Sequence, residues 1–188
     1  MKKLFAVLAL TLTASAFAGE NGINFEFERE RGINSPNSME NTFKFAPYYK
    51  FDNGVKADLQ FGASREDGSN QQLENSVEAR VQKMWAVGTT GLKLGARFGL
   101  GEKFTTSKDF SYYTIEPKAQ YGLTDALSLK ASWRYRNAFS DSNNYETRTW
   151  KVGFGYDVTK KDEVEVKYFQ KRGDSNTDGV ILEYTRGF

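Results

Sequence analysis

The sequence predicts an all-β chain, a transmembrane antiparallel β-barrel of ten strands, with twelve as the alternative count. Three observations predict it. Apolar and polar residues alternate with period two in about ten successive segments. The connections between these segments are alternately short and long. Every second segment ends on an aromatic residue at a short connection. Period two puts successive side chains on opposite faces of a strand. One face is apolar and the other charged, and each segment is long enough to cross a bilayer.

Residues 1–18 read as a secretory signal peptide. Lys2 and Lys3 give a positive start, Leu4 to Leu12 an apolar run, and Ala16-Phe17-Ala18 a small-x-small cleavage site. The run is too short for a spanning helix, and no later segment offers the ~18 apolar residues that one needs. Cleavage near Ala18 leaves one domain, 19–188, expected as an integral barrel of a bacterial outer membrane, in contact with its lipid.

Strands are expected at 22–31, 42–51, 55–64, 76–85, 91–100, 111–121, 127–137, 145–156, 163–171 and 179–188. In the second, Phe43, Phe45, Tyr49 and Phe51 alternate with Lys44, Tyr48 and Lys50. In the third, Val55, Ala57, Leu59 and Phe61 alternate with Lys56, Asp58 and Gln60. Asp52-Asn53-Gly54, Ala86 to Thr90, Gly122 to Ala126 and Asp157 to Asp162 make short turns. Segments 32–41, 65–75, 101–110, 138–144 and 172–178 are mostly longer and polar. Short periplasmic turns and longer extracellular loops are the pattern of outer-membrane barrels. Phe51, Trp85, Tyr121, Tyr156 and Phe188 would then sit at one height, as an interfacial girdle. Pro47 and Pro117 fall inside strands, where bulges are expected. Arg29 and Arg148 face outward toward the extracellular rim, Lys83 and Arg186 toward the periplasmic one, where they can snorkel. A soluble sandwich or lipocalin-like barrel would have to pack all the large aromatics inside, which overfills so small a barrel. The last strand ends on Phe188. It resembles the carboxy-terminal signal read by the barrel assembly machinery, although Arg186 stands where such signals often carry another aromatic residue.

Composition narrows the chemistry. There is no cysteine and no histidine, which removes disulfides, thiol chemistry and histidine-based nucleophile pairs or metal sites. No enzyme, cofactor or metal is expected. A net charge of +2 gives no footing for a nucleic-acid partner. Nothing on the outward face asks for an oligomer, so a monomer is expected.

The inward set carries the charges. Glu26, Glu28 and Glu30, with Glu183 on the neighbouring closing strand, form an acidic wall. Strands six to nine form a mainly basic one, with Lys118, Lys130, Arg134, Arg136, Lys151 and Lys167. The turns place Lys118 opposite Lys130, Lys151 opposite Lys167 and Lys50 opposite Lys56. Like charges so opposed are destabilising, which suggests a purpose other than stability. Successive weak sites for carboxylates are one such purpose. Arginine's planar fork suits carboxylates, so Arg134 and Arg136 come first as pore-lining, anion-binding residues, followed by Arg97 and Arg80. If the two walls touch, the same residues plug the barrel instead.

Several stretches resemble the oligogalacturonate-specific porin family. Leu123-Thr124-Asp125-Ala126-Leu127-Ser128-Leu129, followed by Arg134-Tyr135-Arg136, is similar to a turn and strand of that family. Ser76 to Phe98 and Ile23 to Arg29 are similar in layout. The resemblance implies a narrow monomeric channel whose basic tracks pass acidic oligosaccharides. That family has twelve strands where ten are counted here, and fewer strands mean a smaller lumen. The expectation is a passive channel for small anionic solutes, acidic oligosaccharides through the resemblance. The alternative is a non-conducting structural or surface-binding barrel with a salt-bridged interior.

Overall fold

Ten antiparallel strands close on themselves, each paired with its sequence neighbours and the last with the first. The structure is a computed structural model that describes residues 19–33, 39–67, 73–105, 109–140 and 145–188. The expected signal peptide lies outside these. The strands are β1 (Gly19–Gly32), β2 (Met39–Phe51), β3 (Val55–Glu66), β4 (Leu73–Ala86), β5 (Leu92–Phe104), β6 (Phe110–Gly122), β7 (Leu127–Ala138), β8 (Thr147–Asp157), β9 (Asp162–Gly173) and β10 (Thr177–Gly187). All ten fall where the alternation puts them. Most extend a few residues further toward the long-loop end, so the wall stands taller there than the apolar stretches alone suggest.

Closure removes every sheet edge, the condition for strands to cross a bilayer. Followed from pair to pair around the barrel, Glu20 of β1 leads back to Gly32 of the same strand. That offset is a shear of twelve residues for ten strands, and it fits strands tilted by ~40° to the axis. The outward face is apolar through its middle, with Phe43, Val81, Phe98, Leu100, Val152 and Val166 all exposed. Trp85, Tyr121, Tyr156 and Phe188 are exposed near the short-turn end.

Neither proline makes a bulge. The register of β2 against β3 is the same on both sides of Pro47, and that of β6 against β7 the same on both sides of Pro117. Pairing simply lapses for two residues beside each. Both rings sit at outward positions, so the missing donor is absorbed as a gap in the ladder and no residue is inserted.

The turns also correct the expected register. Lys118 lies opposite Ser132, and Gln120 opposite Lys130. Lys167 lies opposite Gly153, and Lys151 opposite Phe169. Each hairpin centres one residue later than expected, and in each a threonine hydroxyl closes the turn. Thr124 Oγ1 accepts from the Leu127 N–H at 3.0 Å, and Thr159 Oγ1 from Lys161 and Asp162 at 3.1 and 3.0 Å. The shift relieves two of the three expected like-charge pairs. The third stands, with Lys50 opposite Lys56. Lys50 leans to Glu20 at 3.1 Å, and Lys56 lies 3.8 Å from the centre of the Tyr48 ring.

Candidate functional site: the charged lumen

Inward positions of all ten strands converge on a narrow lumen containing two cavities. One, of about 180 Å³, occupies the periplasmic half and is bordered by Lys56, Gln82, Arg97, Lys118, Lys130 and Lys167. The other, of about 230 Å³, occupies the extracellular half and is bordered by Glu30, Lys103, Tyr112, Arg134, Arg136 and Lys171. Lys151 borders both.

Between them runs a layer of ion pairs. Lys44 of β2 reaches Glu26 and Glu28 of β1 at 2.6 and 2.5 Å. Arg134 of β7 reaches Glu78 of β4 at 2.6 Å, across the inner surfaces of β5 and β6. Glycine makes that reach possible: a Cβ at Gly99 would collide with the Glu78 carboxylate and the Thr114 hydroxyl. Thr114 donates to Glu78 Oε1 at 2.6 Å. Glu116 is held by Arg97 at 3.3 Å, by the Ser132 hydroxyl at 2.7 Å and by Lys151 at 3.6 Å. Glu78 and Glu116 are each 3% exposed. A carboxylate so buried is tolerable only when its lone pairs are met by cations and donors.

The acidic wall exists as an arc. Glu26 lies opposite Glu183 and Glu183 opposite Glu165, three carboxylates in a row on β1, β10 and β9. Lys167 bridges Glu183 and Glu165 at 2.6 and 2.5 Å, and Asn24 donates to Glu183. Lys130 holds Glu165 and Glu163 at 2.7 and 2.5 Å. Glu30 is held by Lys171 at 2.6 Å.

The sequence-predicted site residues therefore separate into two groups. Arg134, Arg97, Lys130, Lys151 and Lys167 line the lumen with their charges met by carboxylates. Arg80 borders neither cavity; it is an inward residue buried against Asp58, opposite it on β3, at 2.5 Å. Arg136 and Lys118 have no ion-pair partner among the described residues. Arg136 lies over Tyr145 and Tyr112, 4.3 and 5.5 Å from their ring centres, and its Nε is buried without a hydrogen bond. Lys118 donates to Gln82 at 3.1 Å, its one hydrogen bond among the described residues. Sequence reasoning missed Lys103 and Glu163 as lumen charges, and the Tyr112–Tyr145 pair as the bed of Arg136. Strand parity could have found Lys103, Glu163 and Tyr112. Tyr145 precedes β8, where parity gives no guide.

The acidic and basic walls do not meet along the whole axis. Glu26 and Glu28 are satisfied by β2, next door, and only Glu30 and Glu183 bond to β9. Among the described residues no cluster of carboxylates is placed to hold a metal ion.

Solved structures share the architecture at low identity. An outer membrane channel of the COG4313 group from Pseudomonas putida F1 aligns with a TM-score of 0.59 and 9% identity, over 92% of this chain and 96% of that one. The beta domain of the Bordetella autotransporter BrkA aligns with a TM-score of 0.56 and 11% identity, over 91% and 100%. The KdgM porin in complex with disordered oligogalacturonate aligns with a TM-score of 0.49 and 15% identity, over 89% and 99%. No curated protein matches the sequence. A family profile described as outer membrane protein beta-barrel domain matches residues 4–157. With ten closed strands, an apolar belt outside and charges inside, this chain belongs to the outer membrane protein β-barrel domain family and is an integral barrel of the bacterial outer membrane.

Proposed function

We propose that the barrel is a passive channel for small anionic solutes, with acidic sugars as the favoured class. One observation carries this reading: each half of the lumen keeps a basic side chain that has no ion-pair partner among the described residues, Arg136 above the ion-paired layer and Lys118 below it. An interior arranged for stability alone would pair both. An anion entering from outside first meets Arg136 on its tyrosine bed, then Lys151 at the boundary, then Lys118. Binding that is favourable, weak and repeated is what conduction needs. Each cavity is smaller than the ~300 Å³ of common ligand pockets. An acidic oligosaccharide would therefore pass extended, with the ion-paired layer exchanging partners around it.

The layer itself favours a second reading, a non-conducting barrel locked by Glu78–Arg134 and Glu116–Lys151. Planar-bilayer recording decides between them. The channel gives steady unitary currents with anion preference, interrupted by oligogalacturonate, the acidic sugar that the sequence resemblance implies. Arg136→Ala weakens the block and Lys118→Ala lowers the anion preference. An electrically silent, correctly folded barrel overturns the channel.

A further inference from the structure

The outward face carries different charge at its two rims. At the periplasmic rim the outward charges are few and partly self-compensated, with Arg186 3.5 Å from Asp162. At the extracellular rim arginines crowd. Arg29 and Arg31 on β1, Arg172 on β9 and Arg148 on β8 all stand at outward positions close to the ends of their strands. Arg148 lies directly opposite Arg172, an arrangement that costs stability unless something anionic sits between them. Asp178 meets Arg31 at 3.3 Å and Glu146 meets Arg148. Among the described residues Arg29 hydrogen-bonds the Met39 sulfur, and Arg172 backbone carbonyls, with no carboxylate on either.

Beside Arg29 and Arg31 is a groove of about 330 Å³, lined by these two, Met39, Tyr168, Val180 and the Asp178 that pairs with Arg31. One rung further into the membrane, Phe27 lies opposite Leu182 where Arg29 lies opposite Val180. That next rung borders a larger hollow of about 630 Å³, whose lining includes Phe25, Phe27, Phe43, Phe45 and Leu182. The outward surface thus has a cationic top that runs directly into an apolar floor.

We propose that this face is a binding site for the phosphorylated glycolipid of the outer leaflet, its phosphates on the arginines and an acyl chain along the apolar hollow. Charge and shape both select the occupant. Arginine pairs with phosphate through two parallel hydrogen bonds, and basic residues at a membrane surface attract anionic headgroups. From Arg172 on β9 to Arg31 on β1 is two interstrand spacings and two residues along the strand, roughly 12 Å. A disaccharide bearing a phosphate at each end has that length. The site is separate from the lumen and does not depend on conduction.

The test titrates the refolded barrel in neutral detergent micelles with bisphosphorylated lipid A, with dephosphorylated lipid A, and with inorganic phosphate as competitor, reading bound lipid by native mass spectrometry. The expected result is retention of the bisphosphorylated lipid that Arg29→Gln with Arg31→Gln weakens about tenfold or more. Lys83→Gln with Arg186→Gln, at the other rim, leaves retention unchanged. If the first double variant fails the heat-modified gel shift of a folded barrel, Arg148→Gln with Arg172→Gln carries the test. Equal retention of the dephosphorylated lipid overturns the proposal in favour of a bare apolar groove. Displacement by millimolar inorganic phosphate overturns it in favour of a simple anion site. Undiminished binding in a folded arginine variant overturns it outright.

Discussion

The two faces of this sheet are written on alternate residues of the same strands, and they obey different rules. Outward positions act almost singly. Phe98, Leu100, Val152 and Val166 each meet lipid, and each needs only to be apolar. Inward positions act in sets. Glu78 is acceptable only because Arg134, Thr114 and Tyr112 all reach it, and Arg134 comes from three strands away. The lesson is that the membrane constrains composition outside, whereas charge balance constrains position inside. An outward substitution should therefore be judged by its depth and an inward one by its partners.

The largest expected effect breaks the outward rule. Phe98 lies in the middle of β5 and is 57% exposed to the lipid side. Phe98→Arg places a charge near the bilayer midplane and should cost about 3 kcal/mol, measured by urea unfolding in lipid vesicles. A loss below about 1 kcal/mol would match a position near the interface and would put β5 at the wrong depth.

A smaller effect sharpens the inward rule. Glu78→Gln keeps the shape but leaves Arg134 without its carboxylate. Breaking a dry buried pair costs about 3–5 kcal/mol, and a cavity able to hold water beside this one reduces that to about 2 kcal/mol. Adding Arg134→Gln should restore part of the loss, since no unpaired charge then remains. A double-mutant cycle reads this directly. Strict additivity of the two losses would mean that the groups do not interact across β5 and β6.

How much of this was legible beforehand follows the same division. Period two and the polar breaks place all ten strands, because the outward rule is local: Phe43 or Val81 declares its face without reference to any other strand. The parity of the inward charges is legible for the same reason. The partners are not. Glu78 finds Arg134 because the shear brings the middle of β4 and β7 to one height and because Gly99 leaves the space between them open, and neither fact is visible in a single strand. Arg134, read as an anion ligand for its planar fork and its place on the basic wall, is bound up in the lumen's own charge balance. Arg136, two residues on, has no ion-pair partner among the described residues.

The smallest effect concerns what sets register. Thr124 and Thr159 occupy equivalent places in the two hairpins whose centres moved by one residue. In each the hydroxyl accepts backbone N–H groups within the turn. Without that hydroxyl, Thr159→Ala leaves two N–H groups at an exposed turn to water, at a cost of about 1 kcal/mol; Thr124→Ala should cost the same. If the threonines also choose the register, the combined variant should loosen it toward the arrangement that opposes Lys118 with Lys130 and Lys151 with Lys167. Like charges disfavour that arrangement, so the native register should survive with its turns weakened. Cysteine pairs distinguish the outcomes: Gln120→Cys with Lys130→Cys should crosslink in the wild-type background and in the threonine variant alike. Crosslinking of Lys118→Cys with Lys130→Cys in preference would mean that the turn hydroxyls, and not the charges, hold the strands in place.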